Sequence, residues 1–133
     1  MKKRTCIMAI DDEVEILRLL KNIFEDEGYD FVGATSGDTA FAQLREHQPD
    51  LIILDIMMPG LDGFQVLDLI RRKSSVPVIM LTGKSEVTAL RDSVEIGADD
   101  YVRKPFYPLE LVARVRAKLR RAAQSQPALH QGK

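Results

Sequence analysis

The sequence predicts an α/β domain built on a doubly wound, five-stranded parallel sheet. Three observations predict it. Short apolar runs alternate strictly with longer segments of helical period, the central runs LIIL (51–54) and VIML (78–81) are apolar without alternation, and polar residues gather where the runs end. Strict alternation implies parallel strands joined by right-handed crossovers, with helices over both faces of the sheet. A strand covered on both faces has no solvent side, so its apolar residues need not alternate.

Taken in order, the first strand is expected over 5–10, followed by a helix whose apolar stripe is Ile16, Leu17, Leu19, Leu20, Ile23 and Phe24. Gly28 stands where a left-handed cap would close that helix. A second strand over 31–35 leads into a helix capped by Ser36 and ending at His47, where a partial positive charge suits the helix dipole. The third strand, 51–55, turns away at Pro59-Gly60 into the third helix. A fourth strand over 77–81 precedes a helix over 87–96, with Ser85 as its N-cap and Gly97 behind it. The fifth strand, 101–103, is followed by a last helix that starts at Pro108 and carries Leu111, Val112, Val115 and Leu119. The count is five strands and five helices. Residues 1–122 are read as the domain, and 123–133, without a sustained apolar period, as a linker or tail leading to an effector domain absent from this sequence.

With 133 residues the chain has the size of one domain, and 19 basic against 20 acidic residues leave a net charge of -1. No whole-chain basic field draws it to nucleic acid or to a membrane. No run reaches membrane-spanning length, and the KKR start leads into a strand rather than a signal-peptide core. A cytoplasmic location is expected. The single cysteine, Cys6, excludes an internal disulfide and reads as a small core residue. The basic last helix, with Arg114, Arg116, Lys118, Arg120 and Arg121, has no interleaved aromatics, so direct nucleic-acid binding by this domain is not expected.

In open parallel sheets, ligands bind at the carboxyl ends of the strands. Here the first strand ends in Asp11-Asp12-Glu13, the third in Asp55, the fourth in Thr82-Gly83, and the fifth runs into Lys104-Pro105-Phe106. Neighbouring strands are about 5 Å apart, and two carboxylates at ~5 Å repel by roughly 3 kcal/mol at an effective dielectric near 20. Any one of these residues alone reads as a capping or solvated group. Together they demand a cation. Lys104 supplies one, and a hard divalent ion with oxygen ligands supplies the rest, which favours magnesium, with manganese as its substitute. No histidine or cysteine stands at these ends, which argues against zinc. A carboxylate beside a metal, a lysine and a hydroxyl is an arrangement for receiving a phosphoryl group, with Thr82 donating to one of its oxygens and Gly83 leaving room for it.

The motifs DDE, LIILDIMMPGLDG, VIMLTG and GADDYVRKPF, in this order, resemble the receiver domain of two-component response regulators over 3–121. The resemblance implies a (βα)5, flavodoxin-like fold and a signalling switch rather than an enzyme with an external substrate. It implies that Asp55 is the phosphoacceptor, that Asp12 binds magnesium directly and Asp11 through water, and that Met57 adds its backbone carbonyl. Thr82 and Lys104 would contact the phosphoryl group, and Pro105 would hold a cis peptide bond with Lys104. The donor would be the phosphohistidine of a sensor histidine kinase, with small phosphodonors as substitutes. Thr82 and Tyr101 would form the switch, reshaping the face built by 87–96, the fifth strand and the last helix.

That face is similar to the subfamily in which a receiver precedes a winged-helix DNA-binding domain. The similarity implies homodimerisation through it on phosphorylation, with Val94, Asp99, Asp100, Glu110, Arg114 and Arg121 at the interface. The order Leu90-Arg91 departs from the subfamily, which has a basic residue followed by an apolar one. Met57 offers no acid or amide to position water, so a long-lived phosphoryl-aspartate is expected, with Lys84 adding cover. A stand-alone receiver acting by phosphorelay or protein docking is the alternative. An aspartyl-phosphate phosphatase would want an acid where Met57 stands, and a dinucleotide-binding domain would want a glycine loop where Asp11-Asp12 stand.

Overall fold

The computed structural model describes residues 4–56, 63–83 and 97–124. Its elements are β1 (Cys6–Ile10), α1 (Val14–Asp26), β2 (Asp30–Ala34), α2 (Gly37–His47), β3 (Leu51–Asp55), α3 (Gly63–Arg71), β4 (Val78–Thr82), β5 (Asp100–Arg103) and α4 (Pro108–Gln124). The strands form one parallel sheet in the order β2-β1-β3-β4-β5. All five expected strands are present, displaced by at most one residue. The expected helix over 87–96 and its cap Ser85 lie outside the described residues.

Both faces of the sheet are covered. Ile7, Ala9, Ile53, Ile79 and Leu81 point into a cluster with Leu17, Leu20 and Phe24 of α1 and Leu111, Val112 and Val115 of α4. Met8, Ile10, Ile52, Leu54, Val78 and Met80 point to the other side, against Ala40 of α2 and Val66, Leu67 and Ile70 of α3. Alternate residues of each central strand therefore serve opposite cores, which explains why LIIL and VIML carry no polar position. At the sheet edge, β5 does alternate: Val102 is buried, whereas Tyr101 and Arg103 face outward.

The first helix corrects one expectation. Leu17, Leu20 and Phe24 are buried and Ile16 and Ile23 partly so, but Leu19 is 44% exposed. With 3.6 residues per turn, Leu19 lies about 100° or more around the helix from each of the buried three, so the six-residue stripe is too wide to fit one interface. Gly28 adopts φ +91, as its position behind α1 predicts, and Tyr29 N–H donates to Phe24 O across it at 3.0 Å. Ser36 caps α2 by accepting from Thr39 N at 3.2 Å. The last helix continues to Gln124.

Candidate functional site

The register brings the rim residues together. Ile10 lies opposite Leu54 and Asp55 opposite Leu81, so Asp11 emerges one step beyond β1 beside the tip of β3. Asp11 is fixed there by its own N–H, which donates to Ala34 O at 3.0 Å, and its Oδ1 accepts from Glu13 N at 2.9 Å. Lys104 N–H donates to Thr82 O at 2.7 Å, which ties the end of β5 to the end of β4. The Lys104–Pro105 peptide bond is cis, as expected. Gly63, the first residue of α3, donates its N–H to Ile56 O at 2.7 Å. A Cβ on Gly63 would stand 2.3 Å from Asp55 O and 2.6 Å from Ile56 Cα. Only a glycine lets the helix start this close behind the aspartate.

Asp11, Asp12 and Asp55 each present a carboxylate oxygen within 4.8 Å of the others. Asp11 and Asp55 are buried and Asp12 is exposed, so the cluster has a floor and an open mouth. Lys104 Nζ lies 3.2 Å from Asp11 Oδ2, 3.4 Å from Asp55 Oδ2 and 3.7 Å from Glu13 Oε1. Burial lowers the Lys104 pKa, but Asp11, Asp55 and Glu13 together outweigh it, so the ammonium is held above its ordinary value. Three carboxylates thus surround one ammonium, with that of Asp12 beside Asp11 and Asp55. Among the described residues the donor set is all oxygen, close enough to share one ion and short of positive charge, which fits magnesium on chemistry alone.

The buried Thr82 hydroxyl donates to Gly83 O at 3.1 Å. A Cβ on Gly83 would meet nothing within 4 Å among the described residues, so the space above it is open. Met57, which was to lend its carbonyl, and Lys84 lie outside the described residues.

The residues assigned to the output face are only partly together. Arg114 Nη1 donates to both oxygens of Asp100, at 2.9 and 3.0 Å, and Nη2 donates to Glu110 Oε2 at 3.0 Å. The hydrogen bond that Arg114 donates to Asp100 raises the Arg114 pKa, with burial opposing and Glu110 adding to the rise. Tyr101 is 40% exposed and Arg121 is exposed on α4. Asp99 stands apart, its carboxylate accepting from Arg71 Nη2 and from Val78 N, both at 2.8 Å. Val94 lies outside the described residues.

Three features escaped the sequence reading. Glu13 reaches Lys104, Arg71 reaches Asp99, and the exposed Leu19 joins Ile16, Pro105 and Phe106 in an apolar groove beside Lys104. The acidic third residue of DDE was a visible signal for the first; the other two depend on segments far apart in sequence. A cavity of about 820 Å³ lies elsewhere, at the opposite end of the sheet among Pro49, Ser74, Pro77, Leu119 and Ala122. It brings together none of the rim residues.

Comparison with known proteins agrees with this geometry. The sequence matches the family described as response regulator receiver domain over residues 7–116. It is 49% identical over 121 residues to the transcriptional regulatory protein ResD of Bacillus subtilis (strain 168), covering 91% of this chain and 50% of ResD. It is 44% identical over 118 residues to the DNA-binding response regulator MtrA of Mycolicibacterium smegmatis, covering 89% of this chain and 52% of MtrA. The chain therefore spans about half the length of the curated relatives it matches. Among solved structures, the receiver domain of NtrX from Brucella abortus superposes with a TM-score of 0.82 at 33% identity, covering 86% of this chain and 98% of that one.

Proposed function

The chain belongs to the response regulator receiver domain family, and on that premise we propose that Asp55 is the residue that receives the phosphoryl group. One observation carries this reading: the Asp55 carboxylate is buried at the tip of β3, 3.4 Å from Lys104 Nζ and within 4.8 Å of the Asp11 and Asp12 oxygens. A carboxylate oxygen of Asp55 attacks phosphorus; the new O–P bond forms as the bond from phosphorus to the donor nitrogen of a phosphohistidine breaks, and the histidine leaves. Lys104 then turns from the carboxylates to a phosphoryl oxygen. Thr82 leaves Gly83 O and donates to another. Asp12 and Asp55 would hold magnesium directly, Asp11 through water, with the Met57 carbonyl completing the protein's share. Magnesium, or manganese in its place, supplies neutralisation of charge on the oxygens in transit. In this sense the domain assists its own phosphorylation and dephosphorylation while remaining a signalling switch.

The donor is a sensor histidine kinase, and the place of the exchange is the cytoplasm; no helix among the described residues is long and apolar enough to cross a membrane. Phosphorylation would draw Thr82 inward and let Tyr101, now half exposed, turn toward the space it leaves. A DNA-binding output beyond this sequence is favoured over a stand-alone receiver because ResD and MtrA are transcriptional or DNA-binding regulators. In a dimer formed through the output face, Asp100, Glu110 and Arg114 would exchange their pairing within the chain for pairing across a two-fold axis, joined by Arg121 and Val94.

The test is intact-mass analysis after incubation with magnesium and acetyl phosphate. One phosphoryl group should attach, and none in Asp55→Ala. Labelling that survives in Asp55→Ala would remove Asp55 from this role.

A further inference from the structure

At the end of the sheet opposite the acidic rim, the last residue of α3 is held from several directions. Arg71 Nε donates to Gly97 O at 2.8 Å, Nη1 to Val76 O at 2.6 Å, and Nη2 to Asp99 Oδ2 at 2.8 Å. The side chain is 19% exposed. Asp99 is itself pinned: Oδ2 accepts from Val78 N, and its own N–H donates to Val78 O, each at 2.8 Å. A Cβ on Gly97 would come within 3.2 Å of Arg71 Nε, so the arginine lies flat against that backbone. The guanidinium thus joins the end of α3 to the segment that leads into β5, which starts at Asp100.

The other end of the same helix is pressed against the back of Asp55. Gly63 N–H donates to Ile56 O, and the room for a missing Cβ is filled by Asp55 O and Ile56 Cα. This is backbone against backbone, with no flexible side chain to absorb a displacement. Between the two ends lie nine residues of helix, about 13 Å at 1.5 Å per residue.

We propose that Arg71 is a positioning residue that conveys the state of Asp55 to the start of β5 through α3. The proposal rests on Asp55 being the phosphoacceptor. A shift of the Asp55 backbone on phosphorylation has to move Gly63, and with it the helix; Arg71 then pulls on Gly97 O and Asp99, directly before Asp100 and Tyr101. The route is separate from the one through Thr82 and the side chain of Tyr101. It depends on the arginine fork, whose N–H directions are fixed, so a lysine cannot substitute for it.

The test uses the whole 133-residue chain. Wild type, Arg71→Met, Arg71→Lys and Asp99→Asn are each compared with and without magnesium and acetyl phosphate, intact mass giving the phosphoryl occupancy. The readout is the change in amide hydrogen exchange over 97–103 between the two forms of the same variant, so that a static loosening cancels. Wild type should show a clear change, and Arg71→Met and Arg71→Lys, phosphorylated to the same extent, at least a threefold smaller one. Asp99→Asn, which keeps an oxygen for Val78 N, should show about half the wild-type change and serves if Arg71→Met does not fold. An undiminished change in Arg71→Met, or in Asp99→Asn where that variant stands in, overturns the proposal, as does a phosphorylated wild type with no change over 97–103. Absence of labelling at Asp55 would instead defeat the phosphoacceptor reading beneath it.

Discussion

The two ends of the sheet handle charge in opposite ways. At the carboxyl end, Asp11, Glu13 and Asp55 gather around the ammonium of Lys104, with Asp12 beside Asp11 and Asp55. At the amino end, Arg71 meets Asp99 and three nearby carbonyls, with strong donors and acceptors matched. Both clusters tie distant segments together, but among the described residues only the second is balanced. An ion pair that closes on itself is a structural tie; a carboxylate group short of positive charge is a place that stays unfavourable until a cation or a phosphoryl group with its metal arrives.

The sharpest way to break this contrast is through the helix that joins the two ends. Gly63→Ala puts a carbon 2.3 Å from Asp55 O, where backbone rather than side chain must yield. The expected loss is about 3 kcal/mol or more, from overpacking that no rotamer can relieve. Denaturant unfolding measures it, and the surviving fold should take up phosphate poorly because Asp55 is displaced. A loss no greater than that of an exposed helix substitution would show that α3 is free to slide away from β3.

Magnesium should then separate the two ends. At a hundred times its dissociation constant it should stabilise the domain by about 2.7 kcal/mol, because the proposed site exists at the folded rim and not in the unfolded chain. Asp12→Ala should abolish that gain, whereas Asp99→Asn should leave it intact. Equal gains in wild type and Asp12→Ala, by thermal unfolding with and without the ion, would place the metal elsewhere.

Smaller effects of opposite sign are expected from removing one negative charge at either end. Asp99→Asn weakens hydrogen bonds between charged groups and should cost about 2 kcal/mol. Asp55→Asn, without magnesium, relieves repulsion with Asp11 and Asp12 while Lys104 keeps Asp11 at 3.2 Å, and should gain about 1 kcal/mol. Destabilisation by both would mean that Lys104 already balances the rim.

Much of the rim is legible in the sequence because each of its residues ends a continuous apolar run. Once LIIL and VIML are strands buried on both faces, the parallel rule places Asp55 and Thr82 at one edge, and the apolar 6–10 adds Asp11 beside them. The amino end was not legible. Arg71 and Asp99 are 28 positions apart, and nothing in GFQVLDLIRR or GADDY says that they meet rather than face solvent or another chain. The close approach of Gly63 to Asp55 O is likewise a property of how the chain returns on itself. Leu19 shows the limit in the other direction: an apolar residue inside a helical stripe is exposed because the interface is narrower than the pattern.

The smallest expected effect concerns pH, and it too distinguishes the two ends. Asp11, Asp55 and Glu13 outweigh burial and hold Lys104 above its ordinary value of 10.5, so the folded protein binds this proton more tightly than the unfolded chain does. A raised pKa contributes stability that is complete below the unfolded value and lost as pH rises through the folded one. Between about pH 9 and about pH 12, metal-free wild type should therefore lose more stability than Lys104→Met, in which the group is absent. The comparison is made by denaturant unfolding across that range, where any change common to both proteins cancels. Parallel curves would show that Lys104 gains nothing from its carboxylates. Arg114, also raised, remains charged throughout, so the Asp100 and Glu110 pairs should contribute no step in this window. A step that persists in Lys104→Met would thus assign the alkaline sensitivity to a group other than the rim lysine.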